Sequence, residues 1–123
     1  MADVPVRFVE KPWGREEIFA QTDAYVGKVL FIRRGEALSL QYHERKEETL
    51  RVLQGEVQVF LGSSTEALEA EVLRAGAVVH LPPRTLHRMV AVTDCQLVEV
   101  STNHLDDVVR LDDRYGREGT NKP

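Results

Sequence analysis

With 123 residues the chain has room for one domain and one hydrophobic core. Hydrophobic residues at 42% and charged residues at 29% are enough to bury that core and keep a wetted surface, which excludes a disordered tail or a fibrous repeat. Sixteen Lys and Arg against twenty Asp and Glu leave a net charge of −4 with no long basic run, so nothing electrostatic points to a nucleic-acid or membrane partner, and a small anion would need its own cationic pocket.

The single cysteine, Cys95, has no mate for an internal disulfide, which favours a reducing compartment. The opening MADVPVRFVEKPWG carries charges where a secretory leader needs its apolar stretch, and no run approaches the roughly 18 to 20 apolar residues of a membrane span. The expectation is a cytoplasmic, single-domain protein over residues 1–123.

In chain order, short runs rich in Val, Ile, Leu and Phe alternate with Gly or Pro, the pattern of an all-β sandwich or barrel. Strands are predicted at 16–20, 27–33, 37–43, 49–54, 56–61, 69–74, 77–81, 87–92 and 95–101, with Gly27, Gly35, Gly55, Gly62, Gly76 and Pro82–Pro83 between or at the ends of them. Gln54–Gly55–Glu56 reads as a tight turn, because glycine supplies the positive φ such turns demand. Residues 64–71, STEALEAE, have helix-forming composition, but so short a helix is marginal, and a loop plus strand is the preferred reading. Near the end, a helical turn at 105–110 with Gly116 as a stop is one reading, and Gly119 to Pro123 are expected to fray.

Alternate residues of a strand face the same side. Ser39, Gln41 and His43 therefore share one face of LSLQYH, Glu48 shares parity with Leu50 and Val52, and His87 shares it with Met89 and Ala91. Two imidazoles, a carboxylate and an amide can thus converge inside a barrel, a donor set that suits zinc, iron, nickel or manganese. Such a set leaves a divalent ion residual charge and open positions for water or substrate oxygens. On spacing alone, polar groups satisfied elsewhere remain the simpler account. Lys28 shares parity with Leu30 and Ile32, so burying those places an ammonium in the cavity, where an anion would offset its cost; an inverted strand would leave it in solvent.

Gly35, Gln41-Tyr42-His43, Glu48 and Gly55 resemble the first cupin motif, with Gln in place of its first His, and Gly76, Pro82 and His87 resemble the second, with Arg84 where Gly is usual. The motifs span 35–55 and 76–91, and the resemblance implies a double-stranded β-helix, the cupin jelly-roll barrel, with a metal inside one end. More narrowly, Glu10-Lys11-Pro12-Trp13-Gly14, Gly27-Lys28, LSLQYH and the segment DDVVRLDDRYGR at 106–117 resemble the cupin domain of type II mannose-6-phosphate isomerases. Lys46 and Leu50 stand where that family commonly has Arg and Trp, and Thr49 where a His is frequent. No nucleotidyltransferase sequence precedes the domain, so only the isomerase half is expected.

By residue match, the resemblance implies Gln41, His43, Glu48 and His87 as ligands of one divalent ion, zinc foremost, with iron, manganese or nickel as alternatives. It implies a pocket role for Lys28, as phosphate anchor or acid/base group, and phosphate recognition by Arg110 and Arg117, which could equally pair with Asp106, Asp107, Asp112 and Asp113. Glu99 is a proton-transfer candidate if it faces inward, Trp13 reads as a packing anchor and Cys95 as a small buried hydrophobe. The leading expectation is conversion of mannose 6-phosphate to fructose 6-phosphate. A non-haem iron oxygenase using His43, Glu48 and His87, and a non-catalytic sugar-phosphate binding module, are the alternatives. Exposed sheet edges add the expectation of a homodimer.

Overall fold

The computed structural model describes residues 4–104 and 106–120, and every regular element among them is a β-strand. The strands are β1 (Arg7–Lys11), β2 (Gly14–Gln21), β3 (Val26–Ile32), β4 (Leu40–Tyr42), β5 (Glu48–Gln54), β6 (Glu56–Gly62), β7 (Glu69–Arg74), β8 (Val78–Leu81), β9 (Leu86–Ala91), β10 (Cys95–Ser101), β11 (Val109–Asp112) and β12 (Gly119–Thr120). They form two antiparallel six-stranded sheets, ordered β1-β2-β3-β10-β5-β8 and β12-β11-β4-β9-β6-β7. The chain crosses repeatedly from one sheet to the other, which makes an all-β jelly roll with the core between the sheets. No helix among the described residues is long and apolar enough to cross a membrane.

Punctuation residues set the corners. Gly55 has φ +84°, and a Cβ there would lie 2.3 Å from the Asp94 carbonyl oxygen, so the β5–β6 turn requires glycine. At Gly14 a Cβ would sit 1.8 Å from the Phe31 carbonyl oxygen. That close approach lets β2 lie against β3 and drops Trp13 into the core at 3% exposure.

Residues 64–71 form a turn leading into β7, as the preferred reading expected. The C-terminal reading needs correction. Leu105 lies outside the described residues, but Val109 and Arg110 are in β11, where pairing to Tyr42 and Gln41 of β4 outweighs a lone helical turn. Gly119 and Thr120 pair with β11 rather than fraying, and 121–123 lie outside the described residues. β1 was not expected; it forms because the Pro12–Trp13 corner folds RFVEK back along β2.

The interior is polarised along the strands. Inward positions run Lys28, Leu30, Ile32 on β3, Glu48, Leu50, Val52 on β5, His87, Met89, Ala91 on β9, and Glu99, Leu97, Cys95 on β10, all buried. One end of the barrel is therefore hydrocarbon, and the other collects buried polar and charged groups that must be satisfied by one another or by a ligand.

Candidate metal centre

His43 follows β4, Glu48 opens β5 and His87 is near the start of β9, so three neighbouring strand ends bring them together. Their donor atoms lie within 4.8 Å of one another, and all three residues are buried. Each imidazole is oriented by a backbone carbonyl: His43 Nδ1 donates to Asp107 O, and His87 Nδ1 to Thr85 O at 2.9 Å. Both rings thereby turn Nε2 inward, the arrangement that fixes the tautomer of a histidine ligand.

His43 Nε2 is 3.0 Å from Glu48 Oε2, and neither buried atom has a hydrogen-bond partner among the described residues. Burial by itself would raise the Glu48 carboxyl, but Lys46 foremost, then His43 and His87, outweigh it and hold it well below the usual carboxylate range. Burial keeps His87 below the ordinary histidine value against the pull of Glu48. An ionised oxygen and an imidazole lone pair this close require a proton or a cation between them, so the donor set fits a divalent ion.

Gln41, the fourth ligand expected from sequence, lies beside these three with its amide nitrogen rather than its oxygen toward them. Its Nε2 lies 3.4 Å from His87 Nε2, while its Oε1 accepts from Ser39 Oγ at 2.8 Å. Turning the amide over would present the oxygen inward and let Ser39 accept instead.

Behind His43, Glu48 and His87 runs a line of largely buried charges of alternating sign. Lys46 Nζ is 3.4 Å from Glu48 Oε2 and 3.0 Å from Glu99 Oε2. Lys28 Nζ is 3.8 Å from Glu99 Oε2 and 3.1 Å from Glu16 Oε2. Lys28 and Glu99 both face inward, which settles their parity. Burial works against the Lys46 charge, but Glu99 and Glu48 overcome it and raise Lys46 above its ordinary value.

The line ends at a cavity of about 50 Å3 bounded by Lys11, Glu16, Gln41, Arg110 and Arg117. Arg110 is 9% exposed, and its Nε and Nη1 have no hydrogen-bond partner among the described residues. Burial, and then Arg117, lower its basicity. Lys11 is likewise lowered by burial and by Lys28, Arg117 and Arg110, against the pull of Glu16. Arg117 is held by Asp113, with Nε 2.9 Å from Oδ2, so its pairing alternative is realised, whereas Arg110 points unpaired guanidinium atoms into the site. A larger cavity, about 410 Å3, lies elsewhere, against the outside of the β1-containing sheet beside Arg15, Phe31 and Asp94.

Sequence reading gave no site role to Lys46, Glu16 or Lys11, and offered Asp107 only as a partner for Arg110 or Arg117. Lys46 sits in HERKEETL, a charged loop with no strand parity to read. The Asp107 carboxylate accepts from the backbone N–H groups of Glu44, Arg45 and Lys46, at 3.1, 2.6 and 2.9 Å, and so closes the loop that carries both His43 and Lys46. The Arg84 side chain is exposed and 3.4 Å from Glu44, while its backbone N–H donates to the His43 carbonyl oxygen at 2.6 Å.

A jelly roll with two imidazoles and a carboxylate converging inside one end defines a cupin. The profile described as mannose-6-phosphate isomerase C-terminal matches residues 5–113, and the chain belongs to that family. Mannose-1-phosphate guanylyltransferase 2 of Escherichia coli is 29% identical over 117 residues, covering 91% of this chain and 23% of the relative. ManC of Salmonella typhimurium, also a mannose-1-phosphate guanylyltransferase, is 31% identical over 116 residues, covering 90% and 23%. The chain thus spans about a quarter of the length of these relatives. Among solved structures, KdgF from Halomonas sp. superposes with a TM-score of 0.68 at 23% identity, covering 78% of this chain and 84% of that one. The Lactobacillus farciminis oxalate decarboxylase formate complex gives 0.71 at 20%, covering 86% and 33%. At these identities the likeness is one of fold.

Proposed function

We propose that the domain is a metal-dependent aldose–ketose isomerase that interconverts mannose 6-phosphate and fructose 6-phosphate. The observation that carries this reading is the buried contact of His43 Nε2 with Glu48 Oε2 at 3.0 Å, neither atom hydrogen-bonded among the described residues, with His87 oriented to the same point, beside a cavity crowded with cations. Family membership supports a sugar phosphate as the ligand. His43, Glu48, His87 and, after its amide turns, Gln41 would hold the ion, zinc foremost. When bound, that ion supplies Lewis acidity toward oxygens of the first two sugar carbons.

The remaining work falls to this chain's side chains. Arg110 offers Nε–H and Nη1–H to the phosphate and so orients the reacting carbons, with Arg117 and Lys11 adding positive charge. Glu16, a carboxylate on the cavity wall, is placed to take the proton from carbon two and return it to carbon one, and Lys28 at 3.1 Å balances its charge. Glu99 lies one step behind, between Lys28 and Lys46, where it positions both.

Purified protein loaded in turn with zinc, iron, manganese and nickel is incubated with mannose 6-phosphate, and fructose 6-phosphate is measured. Formation of product supports the assignment, and no turnover with any of the four refutes it. An iron oxygenase needs only His43, Glu48 and His87, and the Gln41 amide turning its NH2 toward His87 favours that second reading. Substrate-dependent oxygen consumption with ferrous ion would decide for it.

A further inference from the structure

Lys11 ends β1 on the wall of the Arg110 cavity, on the same face as Glu16. Cross-strand register sets Val9 against Glu16 and Lys11 against Gly14, so Lys11 and Glu16 are diagonal neighbours, a spacing that long side chains can bridge. Gly14 offers Lys11 no side chain in return, and among the described residues the ammonium makes no hydrogen bond and no ion pair. The neighbouring cations differ. Lys28 donates to Glu16 at 3.1 Å and Arg117 is clamped by Asp113. Arg110 has N–H groups to offer, but a guanidinium does not release a proton in a protein.

The cavity therefore pairs one amine able to release a proton with one carboxylate able to accept it. Burial lowers the basicity of Lys11 against the pull of Glu16, and Lys28, Arg117 and Arg110 lower it further, which brings the ammonium toward the working range of a general acid near neutrality. On Glu16 only Oε2 is held by Lys28, and Oε1 has no partner among the described residues. A hexose 6-phosphate in water is chiefly a closed ring, whose oxygen O5 is separated from the phosphate ester by C5 and C6 alone. A phosphate held by Arg110 thus leaves the ring oxygen near the wall that carries Lys11.

We infer that Lys11 and Glu16 open and close the ring of aldose 6-phosphates, an anomer-interconverting activity that needs no metal ion; it rests on the sugar-phosphate reading of the cavity but not on isomerisation. The Lys11 ammonium gives its proton to O5 as the C1–O5 bond breaks, the electron pair staying on that oxygen. Glu16 removes the proton from the C1 hydroxyl as the carbonyl forms. The carboxylic acid then returns a proton to the Lys11 amine, which restores both groups and leaves Glu16 ionised for the proton on carbon two. Reclosure on the other face of the aldehyde retraces these transfers and yields the other anomer.

The test keeps the full chain in a chelator, so that no metal-dependent step contributes, and follows exchange between anomers by proton NMR saturation transfer. The probes are mannose 6-phosphate and 2-deoxyglucose 6-phosphate, the second lacking the 2-hydroxyl that isomerisation requires. Exchange of both should be faster than in buffer, on the order of 100-fold, in proportion to protein. Lys11→Arg keeps the charge but not the releasable proton, so its exchange should fall to the buffer rate while its affinity for mannose 6-phosphate, read by thermal protection, stays within about threefold of the parent. Glu16→Gln should lose the exchange as well, but it strands Lys28, so Lys11→Arg is the deciding variant. No acceleration by the parent, a parent-like rate in Lys11→Arg, or loss of affinity together with rate would each overturn the inference, the last reducing Lys11 to an anion anchor. Anomer exchange without fructose 6-phosphate from the metal-loaded protein would refute the isomerase alone.

Discussion

Replacing Lys46 by Met tests whether the buried charges behave as a unit. Lys46 is 6% exposed and touches two buried carboxylates, Glu48 at 3.4 Å and Glu99 at 3.0 Å. Removing the cation strands negative charge with little water to receive it, at a cost of about 3–5 kcal/mol for a broken buried pair. A domain this long has a total stability of about 6–18 kcal/mol at 0.05–0.15 kcal/mol per residue. The metal-free variant should therefore lose a large share of its stability, and its urea midpoint should drop by roughly 2 M at an ordinary m-value. Lys46 is also a like-charged neighbour of any ion held by Glu48, so the variant should bind zinc more tightly and recover more stability from it than the parent does. At one hundred times Kd the parent recovers about 2.7 kcal/mol. Urea titrations in chelator and in buffered zinc provide both numbers. Metal-free stability within 1 kcal/mol of the parent, or a weakened affinity for zinc, would refute the reasoning.

Asp107→Ala, which strips three acceptor contacts from the loop holding His43, should cost about 2–4 kcal/mol and weaken metal binding measured by chelator competition; Asp107→Asn should recover part of both. Arg110→Met removes unpaired buried N–H groups without orphaning an acceptor, so the ligand-free melting temperature should hold or rise, while the thermal protection given by inorganic phosphate disappears. The Asp113 carboxyl is held below its ordinary range, since the bonds and charge of Arg117 outweigh the opposing effect of burial. Its contribution is thus fully present above the unfolded pKa of about 4 and is lost as pH falls through the lower folded value. Urea titrations between pH 6 and 2 should show that loss, and Arg117→Ala should flatten it.

Much of the barrel was legible because alternation and glycine punctuation are local signals. The predicted spans 69–74 and 95–101 are β7 and β10 without change, and the turn at Gly55 is where its φ demands. β1 and β11 were not, since short strands with mixed composition exist by virtue of the edges they pair with, and pairing is not written in either segment alone. Within the site, parity sufficed for His43, Glu48 and His87 because they lie in or beside strands. It could say nothing of Lys46 in its loop, nor decide between phosphate and Asp113 for Arg117, a choice made by the turn at 113–116. Glu16 was passed over because the Arg-Glu-Glu run reads as a wet surface until β3 is laid beside it.

His43 and His87 are steered by main-chain oxygens, those of Asp107 and Thr85. An alanine survey would therefore record Thr85 as dispensable, although the peptide unit there aims the His87 imidazole. Part of the recognition is written in the path of the loops and is invisible to side-chain genetics. Insertions or deletions in the β8–β9 turn should disable the centre more surely than most point changes around it.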